Sequence, residues 1–252
     1  MWPEIGPIPT YGILYILGIV VHFYVSRRVA HRLNLKRRVG IAVSLCYLVG
    51  MMPAAKLLYD IRQSQFDLTT VFSLKHYFEA GLWGGLLAYL LLAIPVTLFF
   101  SRDRRNALDL IAVSVPIPWA LAKLGCVLNG CCHGEPCSLP WAITFPEGVN
   151  SAPAGVPLHP TQIYEIVLMG LLILVFKVLP RERWRGTMLL WFISIYGLGR
   201  TAIDMFRGDS DRYIYVGPVT LTQIICLITA VTSVLLLVAR HRTVNAENGA
   251  IG

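Results

Sequence analysis

The sequence predicts an all-α, polytopic integral membrane protein of about seven transmembrane helices, with its N-terminus outside and its C-terminus cytoplasmic. Three observations carry that prediction. The 252 residues are 56% apolar and only 14% charged, with a mean hydropathy of +0.62, whereas about a quarter of the residues in soluble domains are charged. Apolar runs of about 20 residues recur along the chain, each long enough to cross a hydrocarbon core about 30 Å thick. The basic residues, finally, crowd into alternate connections between those runs.

Span one is 11–26 (YGILYILGIVVHFYVS), closed by the basic run RRVAHRLNLKRR. The residues before it, MWPEIGPIPT, hold no basic region and no small-residue cleavage site, so this span is expected to be retained. Span two covers 39–59 and ends near Lys56 and Asp60. A polar stretch, DIRQSQFDLTTVFSLKHY, leads to span three at 81–100, which opens with GLWGGLL. The turn SRDRRN precedes span four at 107–126, and span five covers 160–179. PRERWRG separates span five from span six at 187–205, and RGDSDRYIYVGPV leads to span seven at 219–239. Neither an internal repeat nor a low-complexity linker divides the chain, so residues 1–252 form one transmembrane domain.

Orientation follows from where Lys and Arg fall. The connections 27–38, 101–106 and 180–186 and the tail after 239 carry fourteen of them; segments 1–10, 60–78, 127–159 and 206–218 carry four. The positive-inside rule places the first set in the cytoplasm. The net charge of +8 is therefore a topology signal rather than a nucleic-acid-binding patch.

The outer side holds the stretch 123–160: LAKLGCVLNGCCHGEPC, then PWAITFPEG, then PLHP. Four cysteines, Cys126, Cys131, Cys132 and Cys137, lie within twelve residues, beside His133 and His159. Non-helical backbone cannot face lipid, because unsatisfied N–H and C=O groups cost several kcal/mol each. This stretch must line a cavity or an aqueous edge, and it is the expected site.

Charges within spans point to the same depth. Tyr196, Arg200, Asp204 and Arg207 follow one another at i, i+4, i+8 and i+11, one helical face. Two arginines there suit a phosphate or carboxylate, with Asp204 orienting them; the plainer alternative is an internal salt bridge locking two helices. Lys123, Asn129, Lys56, Gln162 and Glu165 fall at the outer ends of spans four, two and five. Ionisable groups in spans cost about 2.5–3.5 kcal/mol each on insertion scales and usually face a functional interior. A cationic pocket at headgroup depth suits an anionic phospholipid.

At these residues the chain resembles the prolipoprotein diacylglyceryl transferases. PTYGILYILG looks like the family's Tyr-Gly segment, AAKLLY its Gly-Ala-Arg stretch and GLWGGLL its His-Gly-Gly-Leu segment. LAKLGCVLNGCCHGE resembles its signature Gly-Arg-x-Gly-Asn-x-x-Asn-x-Glu-x-x-Gly. PWAITFP and PLHPTQIYE are similar to its Pro-x-Ala-x-x-Phe-Pro and Arg-His-Pro-Ser-Gln-Leu-Tyr-Glu motifs, and YGLGRTAIDMFRGD to its Tyr-Gly-x-x-Arg-x-x-x-Glu-x-x-Arg helix. The resemblance implies a multi-pass enzyme of the bacterial inner membrane. Such enzymes move a diacylglyceryl group from phosphatidylglycerol to the lipobox cysteine thiol of a secreted prolipoprotein, releasing glycerol phosphate and using no cofactor. It also implies roles: Arg200 and Lys123 as phosphate-binding cations, Tyr11, Tyr196 and Asn129 as polar pocket groups, and Gly134 as a backbone turn. Asp204 would position the arginine, with His159, Gln162 and Glu165 as buttresses.

Four positions depart from the family pattern. Lys123 stands for an arginine, Cys126 for an asparagine, Cys131 for a glutamate and Trp83 for a histidine often given an acid–base role. With Trp83 unable to take a proton, His133 and His159 are the available imidazoles. One of them would deprotonate the incoming thiol; alternatively Cys131 or Cys132 would be an enzyme nucleophile. Structural disulfides, a membrane thiol oxidoreductase built on Cys131–Cys132, and a non-catalytic lipid-binding protein are the competing readings. No metal is expected, since C-x4-C-C-H-x3-C lacks the C-x2-C pairs of common zinc sites. Cys46 and Cys226 are expected to be packing residues, and His22 and His31 to be solvated.

Overall fold

A computed structural model describes residues 4–5, 8–54, 82–149, 151–178, 185–208 and 215–249. Among them the chain is mostly helical: α1 (Thr10–Arg32), α2 (Arg37–Val49), α3 (Leu82–Phe100), α4 (Arg104–Ser114), α5 (Pro116–Asn129), α6 (Thr161–Val178), α7 (Met188–Asp204) and α8 (Leu221–Gly249). A π-helical turn, Gly50–Ala54, extends α2 and contains Pro53. Three two-residue hairpins complete the elements, and the one that bears on the site pairs Ile143–Thr144 with Pro157–Leu158.

Among the described residues, four helical stretches are long and apolar enough to cross a bilayer: Thr10–Arg32, Arg104–Asn129, Thr161–Val178 and Leu221–Arg242. The second is α4 and α5 together, broken at Val115. Pro116 opens α5 in a first-turn position, where its missing N–H costs nothing. Large apolar side chains on the outer faces, such as Val20 on α1, Val167 and Leu174 on α6 and Leu235 on α8, are more than half exposed. In water that surface would be unfavourable; against lipid it is not.

The core forms where α1, α5, α6 and α7 meet, around Tyr11, Trp119, Met169, Leu172, Phe192 and Tyr196. α7 lies against α8 at close range because position 197 is glycine. A Cβ there would stand 2.7 Å from the Cys226 carbonyl oxygen, so the small residue sets the helix separation. Cys46 and Cys226 are buried packing residues, as expected. His22 is not solvated but wholly buried. Its ring stacks 3.9 Å from that of Tyr47, and Tyr89 meets it edge-on. The apolar periodicity of α1 places residue 22 on its inner face, and aromatic packing offsets the burial of the neutral imidazole.

One end of the bundle gathers the basic connections. Asn106 Nδ2 donates to the Leu33 carbonyl at 3.1 Å, Arg185 pairs with Asp103, and Arg240 donates to the Gly186 carbonyl at 3.0 Å. Asp109 accepts the backbone N–H groups of Gly186 and Met188 at 2.6 and 2.9 Å. The four basic-rich segments of the sequence thus share one end, while α5, α6 and α7 bring Asn129, Thr161 and Asp204 to the other.

Candidate active site

At that other end a single carboxylate collects three cations. Glu165, in the second turn of α6, is fully buried. Its Oε1 receives Arg200 Nη1 at 2.6 Å, Lys123 Nζ at 2.7 Å and Arg207 Nη1 at 3.8 Å. Its Oε2 accepts from the Trp119 indole at 3.0 Å. Arg200 also pairs with Asp204 at 2.7 Å, one turn along α7. Among the described residues the cluster sets three cations, Lys123, Arg200 and Arg207, against two carboxylates, Glu165 and Asp204, in a place where breaking a buried pair costs about 3–5 kcal/mol.

The elements explain the convergence. Lys123 and Trp119 are four residues apart on α5 and present one face, with the ammonium 5.8 Å from the indole ring centre. Tyr196, Arg200 and Asp204 share a face of α7, all three buried. Tyr196 meets Trp119 edge-to-face at 5.7 Å, and its hydroxyl has no hydrogen-bond partner among the described residues.

The cysteine stretch folds over this cluster and is pinned from α6. Gln162 Nε2 donates to the Cys131 carbonyl at 2.8 Å and Thr161 Oγ1 to the Cys132 carbonyl at 2.6 Å. Cys132 takes a left-handed conformation, φ 60°, which costs a non-glycine residue about 1–2 kcal/mol. Among the described residues none of the six cysteines is joined in a disulfide. The sulfurs of Cys126, Cys131 and Cys132 lie within 4.8 Å of one another. Hydrogen bonds from the Cys126 and Cys131 thiols, then the charges of Lys123 and Arg207, hold the Cys132 thiol well below the usual cysteine range, against its burial. Asn129, the last residue of α5, and Tyr11, near the start of α1, are both buried.

Beyond Cys132 the chain threads between two other segments. Gly134 N–H donates to the His159 carbonyl at 2.9 Å, Glu135 N–H to that of Phe206 at 2.9 Å, and Gly208 N–H to that of His133 at 3.1 Å. A Cβ on Gly134 would stand 2.5 Å from the Phe206 carbonyl oxygen and 2.7 Å from that of His159. Only glycine fits.

The two imidazoles differ. Buried His133 has Nδ1 3.0 Å from the Gly134 carbonyl oxygen. A carbonyl only accepts, so Nδ1 carries the proton and Nε2 keeps its lone pair. His159 Nδ1 is 3.2 Å from the Tyr164 hydroxyl. The Trp141 indole donates to that same hydroxyl at 3.0 Å. Neither ring is hydrogen-bonded to a cysteine among the described residues.

Of the residues expected from sequence, Tyr11, Lys123, Asn129, Cys131, Cys132, Gln162, Glu165, Tyr196, Arg200, Asp204 and Arg207 therefore cluster, with His133, Gly134 and His159 on the adjoining strand-like segments. Lys56 lies outside the described residues, as does the side chain of Trp83. Sequence reasoning passed over Trp119, Thr161 and Tyr164. Trp119 had a signal, since it precedes Lys123 by one helical turn, and Thr161 and Tyr164 sit inside HPTQIYE.

Known proteins are similar to this chain along most of its length. The family model described as prolipoprotein diacylglyceryl transferase matches residues 3–239. The phosphatidylglycerol–prolipoprotein diacylglyceryl transferase of Geobacter sulfurreducens is 30% identical over 227 residues, covering 85% of this chain and 84% of its own. The protein of that name from Acaryochloris marina is 28% identical over 86% of this chain and 81% of its own. The one from Clostridioides difficile is 23% identical over 89% and 88%. No solved structure matches.

Proposed function

The chain belongs to the prolipoprotein diacylglyceryl transferase family, and from that premise we propose that it transfers a diacylglyceryl group from phosphatidylglycerol to the lipobox cysteine of a prolipoprotein. On this reading it crosses the bacterial inner membrane seven times and works at the outer side. The observation that carries the reading is the buried cluster in which Lys123, Arg200 and Arg207 converge on Glu165 at 2.7, 2.6 and 3.8 Å. The phosphodiester of phosphatidylglycerol is an anion that such donors can hold. It displaces part of the Glu165 contact and is gripped by the arginine donors, with Asp204 holding Arg200 in orientation.

The reaction breaks the bond between phosphate oxygen and glycerol carbon and forms a bond from that carbon to the acceptor sulfur. The thiol proton passes to a base, and glycerol phosphate leaves with its charge held by Lys123 and Arg200. His133 is that base, because its Nδ1 contact leaves Nε2 free to accept. His159, held at Nδ1 by the Tyr164 hydroxyl, supports the segment instead. Gln162 and Thr161 fix the Cys131 and Cys132 carbonyls, Tyr11 and Asn129 line the cysteine side, and Tyr196 offers a hydroxyl to the lipid.

The experiment uses purified protein in mixed micelles of detergent and phosphatidylglycerol with a lipobox peptide, following glycerol phosphate release. Wild type should release it and Arg200→Ala should not. A thiol oxidoreductase would instead survive Arg200→Ala and fail in Cys131→Ser. Equal release from wild type and Arg200→Ala would overturn the assignment.

A further inference from the structure

The three sulfurs beside the cationic cluster are unexplained by lipid transfer. Cys126 stands in the last turn of α5, and Cys131 and Cys132 follow in the turn beyond it. Sequence spacing does not make them a metal pattern; the fold brings them together. The Gln162 and Thr161 hydrogen bonds fix the backbone carbonyls of Cys131 and Cys132. The left-handed turn at Cys132 sets where its side chain departs. Cys131 Sγ in turn lies 3.9 Å from the Cys126 carbonyl oxygen. The result is three sulfurs within 4.8 Å of one another, two of them on buried residues.

We propose that Cys126, Cys131 and Cys132 form a three-sulfur binding site for a soft monovalent metal ion, Cu(I). A metal–sulfur bond of about 2.3 Å in a planar three-coordinate site spaces its sulfurs about 4.0 Å apart, within the limit that encloses these three. No further His, Cys, Asp or Glu atom joins the group among the described residues. His133 and Cys137, though close in sequence, are not members. A structural zinc site wants four ligands in a tetrahedron, whereas an all-sulfur, low-coordinate site selects Cu(I). Three sulfurs on a monovalent ion make an anionic centre as thiol protons leave to solvent.

The test reads metal rather than lipid transfer, so its failure leaves the transferase reading untouched. The reduced full chain in detergent is titrated under argon with Cu(I) buffered by a chromogenic chelator, and copper K-edge absorption reports the ligands. The expected result is one Cu(I) per chain with three sulfur neighbours. Affinity should fall at least a hundredfold in Cys126→Ser and in Cys132→Ser, and stay within threefold in Cys46→Ser, Cys137→Ser and Cys226→Ser. Where a serine variant does not fold, alkylation of wild type decides. Cu(I) should protect Cys132, the half-buried member of the three, from iodoacetamide while leaving the half-buried Cys137 open. No binding against the chelator, a two-sulfur spectrum, or equal loss in the Cys137 variant would overturn the proposal.

Discussion

Replacing Glu165 by Gln removes one charge from the centre of the cluster while keeping nearly the same shape. The Trp119 indole keeps an oxygen to donate to, but Lys123, Arg200 and Arg207 lose their shared anion at 2.7, 2.6 and 3.8 Å. Asp204 remains for Arg200 alone. Breaking a buried pair costs about 3–5 kcal/mol, and each kcal/mol shifts the midpoint of a chain this size by about 2–4 °C. Glu165→Gln should therefore melt about 6–20 °C below wild type in the same detergent, followed by intrinsic fluorescence or thiol exposure. Phosphatidylglycerol added to the micelles should raise the variant's midpoint more than the wild type's, because the lipid phosphate takes the missing anion's place. A variant melting within 2 °C of wild type, on the order of one kcal/mol or less, would refute Glu165 as the hub. So would an equal lipid response in both proteins.

Three further changes separate the roles. His133→Gln should lower kcat by about 10²–10⁴ with little effect on KM for the lipid, whereas His159→Gln should cost less than tenfold; the reverse order would move the base to His159. Trp119→Phe keeps the ring but removes the 3.0 Å donor to Glu165, a bond to a charged group worth about 1.5–3 kcal/mol, and should lower the melting midpoint accordingly. Gly134→Ala forces a methyl against two backbone carbonyls, and overpacking of about 1–3 kcal/mol should appear as a lower midpoint together with lost transfer, because the His133 segment shifts with it.

Much of this was legible in the chain. Helical spacing alone put Tyr196, Arg200, Asp204 and Arg207 on one face, and α7 carries the first three there. The alternation of basic connections anticipated the end at which Asn106, Leu33, Asp103, Arg185 and Arg240 meet. The role of Glu165 was less legible. Expected as a buttress, it is the shared anion of three cations from two separate parts of the chain, and spacing along one helix does not reveal such a convergence. Span four was read as continuous; in the structure α4 ends at Ser114 and Pro116 starts α5, a break for which the SVPIP string was the available signal. The cysteine cluster was hidden for a conformational reason. Neighbouring side chains such as those of Cys131 and Cys132 diverge in extended backbone, and it takes the left-handed turn at Cys132 to gather three sulfurs. His22 misled because polarity was given more weight than its place on the inner face of α1.

The most direct test of the central claim is the intact mass of a lipobox peptide after incubation with wild-type protein in phosphatidylglycerol vesicles, beside vesicles of phosphatidylcholine alone. The cationic cluster and the family to which the chain belongs predict a peptide heavier by one diacylglyceryl group on its cysteine. That product should form only with phosphatidylglycerol and be absent when the peptide cysteine is serine. A peptide recovered unmodified, or recovered only as its disulfide, would contradict the transferase account and point to redox chemistry at Cys131 and Cys132.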